Sequence, residues 1–283
     1  MGEGIRRFGP WVLLTSIFSL SLAASAAELD SHVDVLKKQL PSKEFTIVVQ
    51  PPFVVIGDEP ADVVAMRATK TVKWAVDFLK KDYFTKEPAE IINVWLFRDK
   101  ASYDKHVPEV FGEAPVSPFG YYSPTHQALI MNIGTGGGTL VHEIVHPFVR
   151  ANFPDCPAWF NEGLGSLYEQ CREKDGHIWG ATNWRLPALQ ADIAKRSVLT
   201  FAALTSLSDR AFYANKQSDY AQARYLCYYL QERGLLVKFY REFLANHVKD
   251  PTGYETLKAV LGNPDMEKFQ REWEQFILKL TFP

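Results

Sequence analysis

The sequence predicts an α+β fold in which a mixed sheet comes first and helices follow. Three observations carry this. β-Branched runs with strand character crowd the first half of the 283 residues, and helical periodicity takes over from about residue 139. The composition, 47% hydrophobic and 23% charged, is that of an ordinary globular chain, which excludes disorder, collagen and coiled coil. A formal net charge of −2 supplies no basic field for nucleic acid and no acidic tail. No repeat, low-complexity stretch or Pro/Ser linker divides the chain. It therefore reads as one unit of two lobes, residues 27–155 and 156–283, rather than as independent domains.

Residues 1–26 read as an export signal. Arg6 and Arg7 precede an apolar run over 11–22, and Ala24-Ser25-Ala26 forms a small-residue cleavage site. A bilayer span needs about 20 apolar residues, which neither this run nor any later one provides. The expected mature chain is periplasmic or secreted, without a membrane span. Residues 45–49 and 53–56 are β-branched runs parted by Pro51-Pro52, so both read as strands. Residues 61–83 keep Val64, Ala68, Val72, Ala75 and Leu79 on one side, the helical period. Residues 91–97 are strand-like, and 102–111 suit a short helix interrupted at Pro108. A hairpin is expected over 120–123 and 127–133, turning at Pro124-Thr125-His126. Segments near 139–152, 157–172, 187–196, 218–233, 235–248, 252–261 and 264–280 are helical, so the second lobe is expected to be all-helical. Residues 27–50 are long enough to mask a cleft.

Chemistry concentrates in Thr139-Leu-Val-His142-Glu143-Ile-Val-His146. Two His four apart share a helix face, about 6 Å from each other, and both imidazoles can reach one ion. Glu143 lies about 100° round the helix, beside the ion, where a carboxylate can take a proton from water. A surface helix with solvated His is the plainer alternative. Leu140, Val141, Ile144, Val145, Phe148 and Val149 argue against it, because they make the helix apolar nearly all round and buried ionisable groups need partners. Thr139 is placed as the N-cap, after the turn Gly134-Thr-Gly-Gly-Gly138. That glycine loop lacks the Gly-Lys-Ser/Thr ending of a phosphate cradle.

A catalytic zinc takes three protein groups. The third is assigned to Glu162 in Trp159-Phe160-Asn161-Glu162-Gly163, sixteen residues after His146, room for the helix to finish, turn and return. Gly163 and Ser166 are small and are expected to let the two helices approach; the alternative puts Glu162 on the water side. Tyr220 shares a face with Ala223, Cys227 and Leu230 and points inward, as an ordinary buried tyrosine also would. Cys156, Cys171 and Cys227 are too few for a disulfide framework. A straight helical path would separate Cys156 from Cys171 by about 20 Å, so free thiols are expected. His32, His106, His126, His177 and His247 are isolated and read as ordinary surface or core residues.

His142-Glu-Ile-Val-His146 followed by Trp159-Phe-Asn-Glu162-Gly-Leu resembles the gluzincin metallopeptidases, the thermolysin-like clan. More narrowly it is similar to the small exported bacterial proteins of the peptidase-MA-like group. The resemblance covers about 139–170, with a weaker echo at Tyr220-Ala-Gln-Ala-Arg-Tyr225. It implies a zincin-like fold, one Zn²⁺ per chain on His142, His146 and Glu162, and Glu143 as general base. It also implies an oxyanion-stabilising residue, for which Tyr220 stands ahead of Tyr225. The substrate implied is a peptide or protein. Residues 128–133 would be the edge strand aligning an extended peptide. Two features depart from the family pattern: Pro147, expected to kink the helix, and Ser166, where larger members carry an acidic partner of a ligand. Besides a zinc peptidase, the residues leave open a zinc-containing peptide-binding module without turnover and a metallohydrolase of non-peptide amides in the cell envelope.

Overall fold

A computed structural model of the chain describes residues 26–282, so the expected signal at 1–26 lies outside the described residues but for Ala26. The described residues open with helix α1 (Ala26–Gln39), then strands β1 (Thr46–Gln50) and β2 (Phe53–Gly57), which turn at a cis Pro51-Pro52 bond. The helix expected over 61–83 comes in three joined pieces: α2 (Ala61–Arg67), a π-helical stretch (Ala68–Lys73) and α3 (Trp74–Asp82). Next come β3 (Ile92–Phe97), α4 (Lys100–Phe111), β4 (Gly120–Ser123), β5 (Ala128–Asn132), α5 (Gly138–Asn152) and α6 (Ala158–Leu167). A hairpin of β6 (Cys171–Lys174) and β7 (His177–Gly180) precedes α7 (Leu186–Ala194), α8 (Phe201–Thr205), α9 (Asp209–Ala214) and α10 (Lys216–Glu232). Helices α11 (Leu236–Asn246), α12 (Tyr254–Val260) and α13 (Met266–Leu278) complete the chain.

The fold is α+β, and the sheet is mixed. Its order is β1-β2-β3-β5-β4, with β2, β3 and β5 parallel and the outer strands antiparallel to their neighbours. Pleating sorts its side chains between two layers. Phe53, Val55, Val94, Leu96, Leu129 and Met131 face a core shared with α5, α6 and the C-terminal helices. Val54, Ile56, Trp95, Phe97, Ala128 and Ile130 face a smaller core closed by α1 and α4. Residues 27–50 therefore mask no site on α5: Leu29 and Leu36 of α1 are buried on the opposite face of the sheet.

Four expectations need correction. The second lobe is not all-helical, because β6 and β7 form a hairpin across Asp175-Gly176. Both turn residues have positive φ (52° and 76°), the conformation Asp-Gly favours in two-residue hairpins. The segment expected as helix to 172 accordingly stops at Leu167, and Cys171 starts a strand. The edge strand beside α5 is β4, not β5, whose five residues are all buried between β3 and β4. Helix α4 runs through Pro108 and ends at Gly112, whose left-handed φ of 76° terminates it; Asp99 caps its start through Ser102 N at 2.8 Å. Thr139 caps nothing, since α5 begins at Gly138 after Gly137. Cys156, Cys171 and Cys227 are free, as expected.

Candidate metal centre

Helix α5 supplies both histidines and stays helical through Pro147. Their rings stand 4.9 Å apart, centroid to centroid. The helix is packed on nearly every side, and its N-terminus abuts the chain at Glu169. A Cβ on Gly138 would lie 1.9 Å from the Glu169 carbonyl oxygen, so only glycine permits this approach. Five residues connect α5 to α6, which returns alongside it and buries Glu162.

Glu162 Oε2 sits 3.2 Å from His142 Nε2 and 3.9 Å from His146 Nε2. One donor atom from each of His142, His146 and Glu162 lies within 4.8 Å of the others, so the group could hold a metal ion. Two imidazole nitrogens and one carboxylate oxygen are the donor set of three-ligand sites that keep a fourth position open. Burial raises the Glu162 pKa, but His146 and His142 outweigh it and bring the carboxyl to about 2, so it is ionised at neutral pH.

The glycines of α6 divide their work differently from the expectation. Gly163 faces α10, where an added Cβ would lie 3.0 Å from the Ala223 carbonyl oxygen. Gly165 faces the His142 ring at 3.3 Å. The approach of α5 and α6 thus depends on Gly165. Ser166 is fully buried, and its Oγ bonds no imidazole.

An acidic neighbour is nevertheless present. Glu169 Oε1 lies 3.4 Å from His142 Nδ1, an ion-pair contact that misses hydrogen-bond alignment. Glu169 is held by Arg185, through Nε at 2.9 Å and Nη2 at 2.6 Å, and by Asn183 Nδ2 at 2.9 Å. Burial raises its pKa, while Arg185 and His142 bring it down to about 2. His146 Nδ1 pairs with Asn161 Oδ1 at 3.0 Å, so both rings have an outer partner fixing their orientation. Glu169 follows Glu162 by seven residues, two helical turns. That spacing is no guide, because α6 ends at Leu167 and Tyr168 turns the chain.

Glu143 is half-buried beside the group. Its Oε2 accepts a 3.1 Å hydrogen bond from Tyr122 N on β4 and lies 3.9 Å from His146 Nε2. Tyr220 does point inward: its ring stacks on Phe212 at 5.1 Å, with the Arg185 guanidinium 5.5 Å from its centre. Burial, then the Glu162 carboxylate, push its pKa far upward and keep the hydroxyl protonated. Tyr225, by contrast, accepts from Asn183 N at 3.1 Å inside the core. Tyr213 on α9 was not anticipated. Its hydroxyl donates to Glu162 Oε1 at 2.9 Å while the residue stays 38% exposed, so it joins the metal group to the surface. No family model and no curated protein compared with the chain matches it.

Proposed function

We propose that the protein is an exported zinc-dependent peptidase of gluzincin type. The observation that carries this reading is the convergence of His142, His146 and Glu162 with Glu143 beside them, facing an edge strand. A purely structural metal site has no use for a fourth, uncoordinated carboxylate at that position. The donor set suits zinc, and when bound the ion supplies Lewis acidity, lowering the pKa of a water and polarising a carbonyl. Glu143 would accept a proton from the attacking water and return it to the departing amine nitrogen. Tyr220, kept protonated, would donate to the developing oxyanion, while Tyr213 spends its hydroxyl proton on Glu162 Oε1 and orients that carboxylate. An extended peptide would add along β4, the edge strand, by taking over the Tyr122 N–H that Glu143 otherwise accepts.

A mixed peptide library incubated with the zinc-loaded protein tests the reading. Cleavage should appear, cease on chelation and return with zinc. In Glu143→Gln it should fall by at least about 10²-fold while zinc content is kept, because the amide cannot take the proton. Zinc binding without cleavage by the wild type would instead favour a peptide-binding module, and cleavage confined to non-peptide amides an envelope metallohydrolase. A Glu143→Gln protein that cleaves like wild type removes Glu143 as base.

A further inference from the structure

We infer that Arg150 selects substrates carrying an acidic side chain on the N-terminal side of the scissile bond. The inference rests on the peptidase reading for the direction of the bound chain. Arg150 follows Glu143 by seven residues, two turns of α5, so the two side chains share the helix face that looks toward β4. Both meet the same residue there. Glu143 accepts from the Tyr122 backbone N–H at 3.1 Å, and the Arg150 guanidinium lies over the Tyr122 ring at 5.2 Å. Arg150 is exposed and makes no ion pair among the described residues. Arg185, the other cation near the metal group, is already committed to Glu169 through two hydrogen bonds. Arg150 thus offers an exposed positive charge beside the edge strand, over the ring of Tyr122.

Direction and distance follow from the topology. Strand β5 leads through residues 133–137 into α5, which folds back over the same sheet, so α5 runs against β5 and with β4. A peptide antiparallel to β4 runs against α5, and its N-terminal side lies toward Arg150. Seven helical residues rise about 10 Å, which an extended chain covers in about three residues. The favoured Asp or Glu is therefore about three residues before the bond presented to Glu143.

The test reads binding and turnover separately. Two fluorescent peptides, uncharged except for one Glu in the first and Gln in its place in the second, are titrated into zinc-loaded Glu143→Gln protein. The Glu peptide should bind about fivefold tighter, the upper range for an exposed ion pair, and the gap should close with added salt. Arg150→Gln should abolish the gap, and Arg150→Glu should favour a Lys peptide. Equal affinity of the two peptides, or a gap that persists in Arg150→Gln, overturns the inference even if the wild type cleaves both. Discrimination lost in Arg150→Gln, with no cleavage by the wild type, keeps Arg150 as the contact for an acidic residue and sinks the peptidase reading together with the placement relative to a scissile bond. Failure of every peptide to bind ends both.

Discussion

The imidazole of His142 is held from two sides, by Glu162 at Nε2 and by Glu169 at Nδ1, and the second contact reaches outward to Arg185 and Asn183. An outer carboxylate of this kind orients the ring and raises its basicity as a ligand. Glu169→Gln keeps the size and removes the charge, so zinc affinity, measured by competition with a chromogenic chelator, should drop about 10- to 100-fold. Ser166→Ala, whose hydroxyl touches neither ring, should leave that affinity unchanged. A larger loss in Ser166→Ala than in Glu169→Gln would reverse the two roles. His142, Glu143 and His146 were legible because they fall within about one turn of a single helix, and Glu162 because sixteen residues let the chain finish that helix, turn and return. Glu169, Tyr213 and Tyr122 were not legible, because their places depend on where α6 stops, how α9 crosses the cleft and which strand takes the edge. Tertiary packing decides all three.

At the scale of elements, the contact between α6 and α10 depends on an absent side chain. Gly163 admits the Ala223 carbonyl and the Cys227 thiol, each of which would stand 3.0–3.1 Å from a Cβ. Gly163→Ala must push backbone aside and should destabilise the protein by about 1–3 kcal/mol, seen as a lowered Tm. Gly137→Ala is the control, since its Cβ would meet nothing nearer than Thr71 Cγ2 at 3.6 Å. Equal melting of the two variants would show that the helices can separate at no cost. Across α10, the buried guanidinium of Arg224 donates to the carbonyl oxygens of Ser166, at 2.9 Å, and Leu167, at 3.4 Å, which closes the C-terminus of α6 with a positive charge. Burial lowers the Arg224 pKa to about 10, still far above neutrality, so the charge is retained. Strands of the first half were readable as β-branched runs, which a sheet buried on both faces requires, and the helix over 61–83 by its 3.6-residue period. The β6–β7 hairpin escaped because β6 is polar and largely exposed and β7 is only four residues long, leaving Asp175-Gly176 as the main signal.

For the molecule as a whole, the two lobes share one apolar core. Phe84 of the first half stacks on Phe148 and meets Tyr240 of the second edge-on at 5.8 Å, while Tyr83 bonds the Tyr168 hydroxyl at 2.7 Å. A fragment of residues 27–155 would expose α5 and the sheet face that α6 and its neighbours cover. It should show no cooperative thermal transition by circular dichroism, whereas the chain with residues 156–283 restored should. A sharp melt of the isolated fragment would make the lobes independent domains.

Helix α9 has one buried residue, Phe212, yet it carries Tyr213 to the metal group. Helix α6 has the opposite character, with nine of its residues buried and a different neighbour on each face. The two helices therefore stand at opposite ends of evolvability. Selection can exchange the residues of α9 around Phe212 and Tyr213 without disturbing the ligands. Heritable variation in α6 is purged almost wherever it falls. Natural diversification of this scaffold, and directed evolution of it, should accumulate changes at 209–211 and 214 long before any at 158–167.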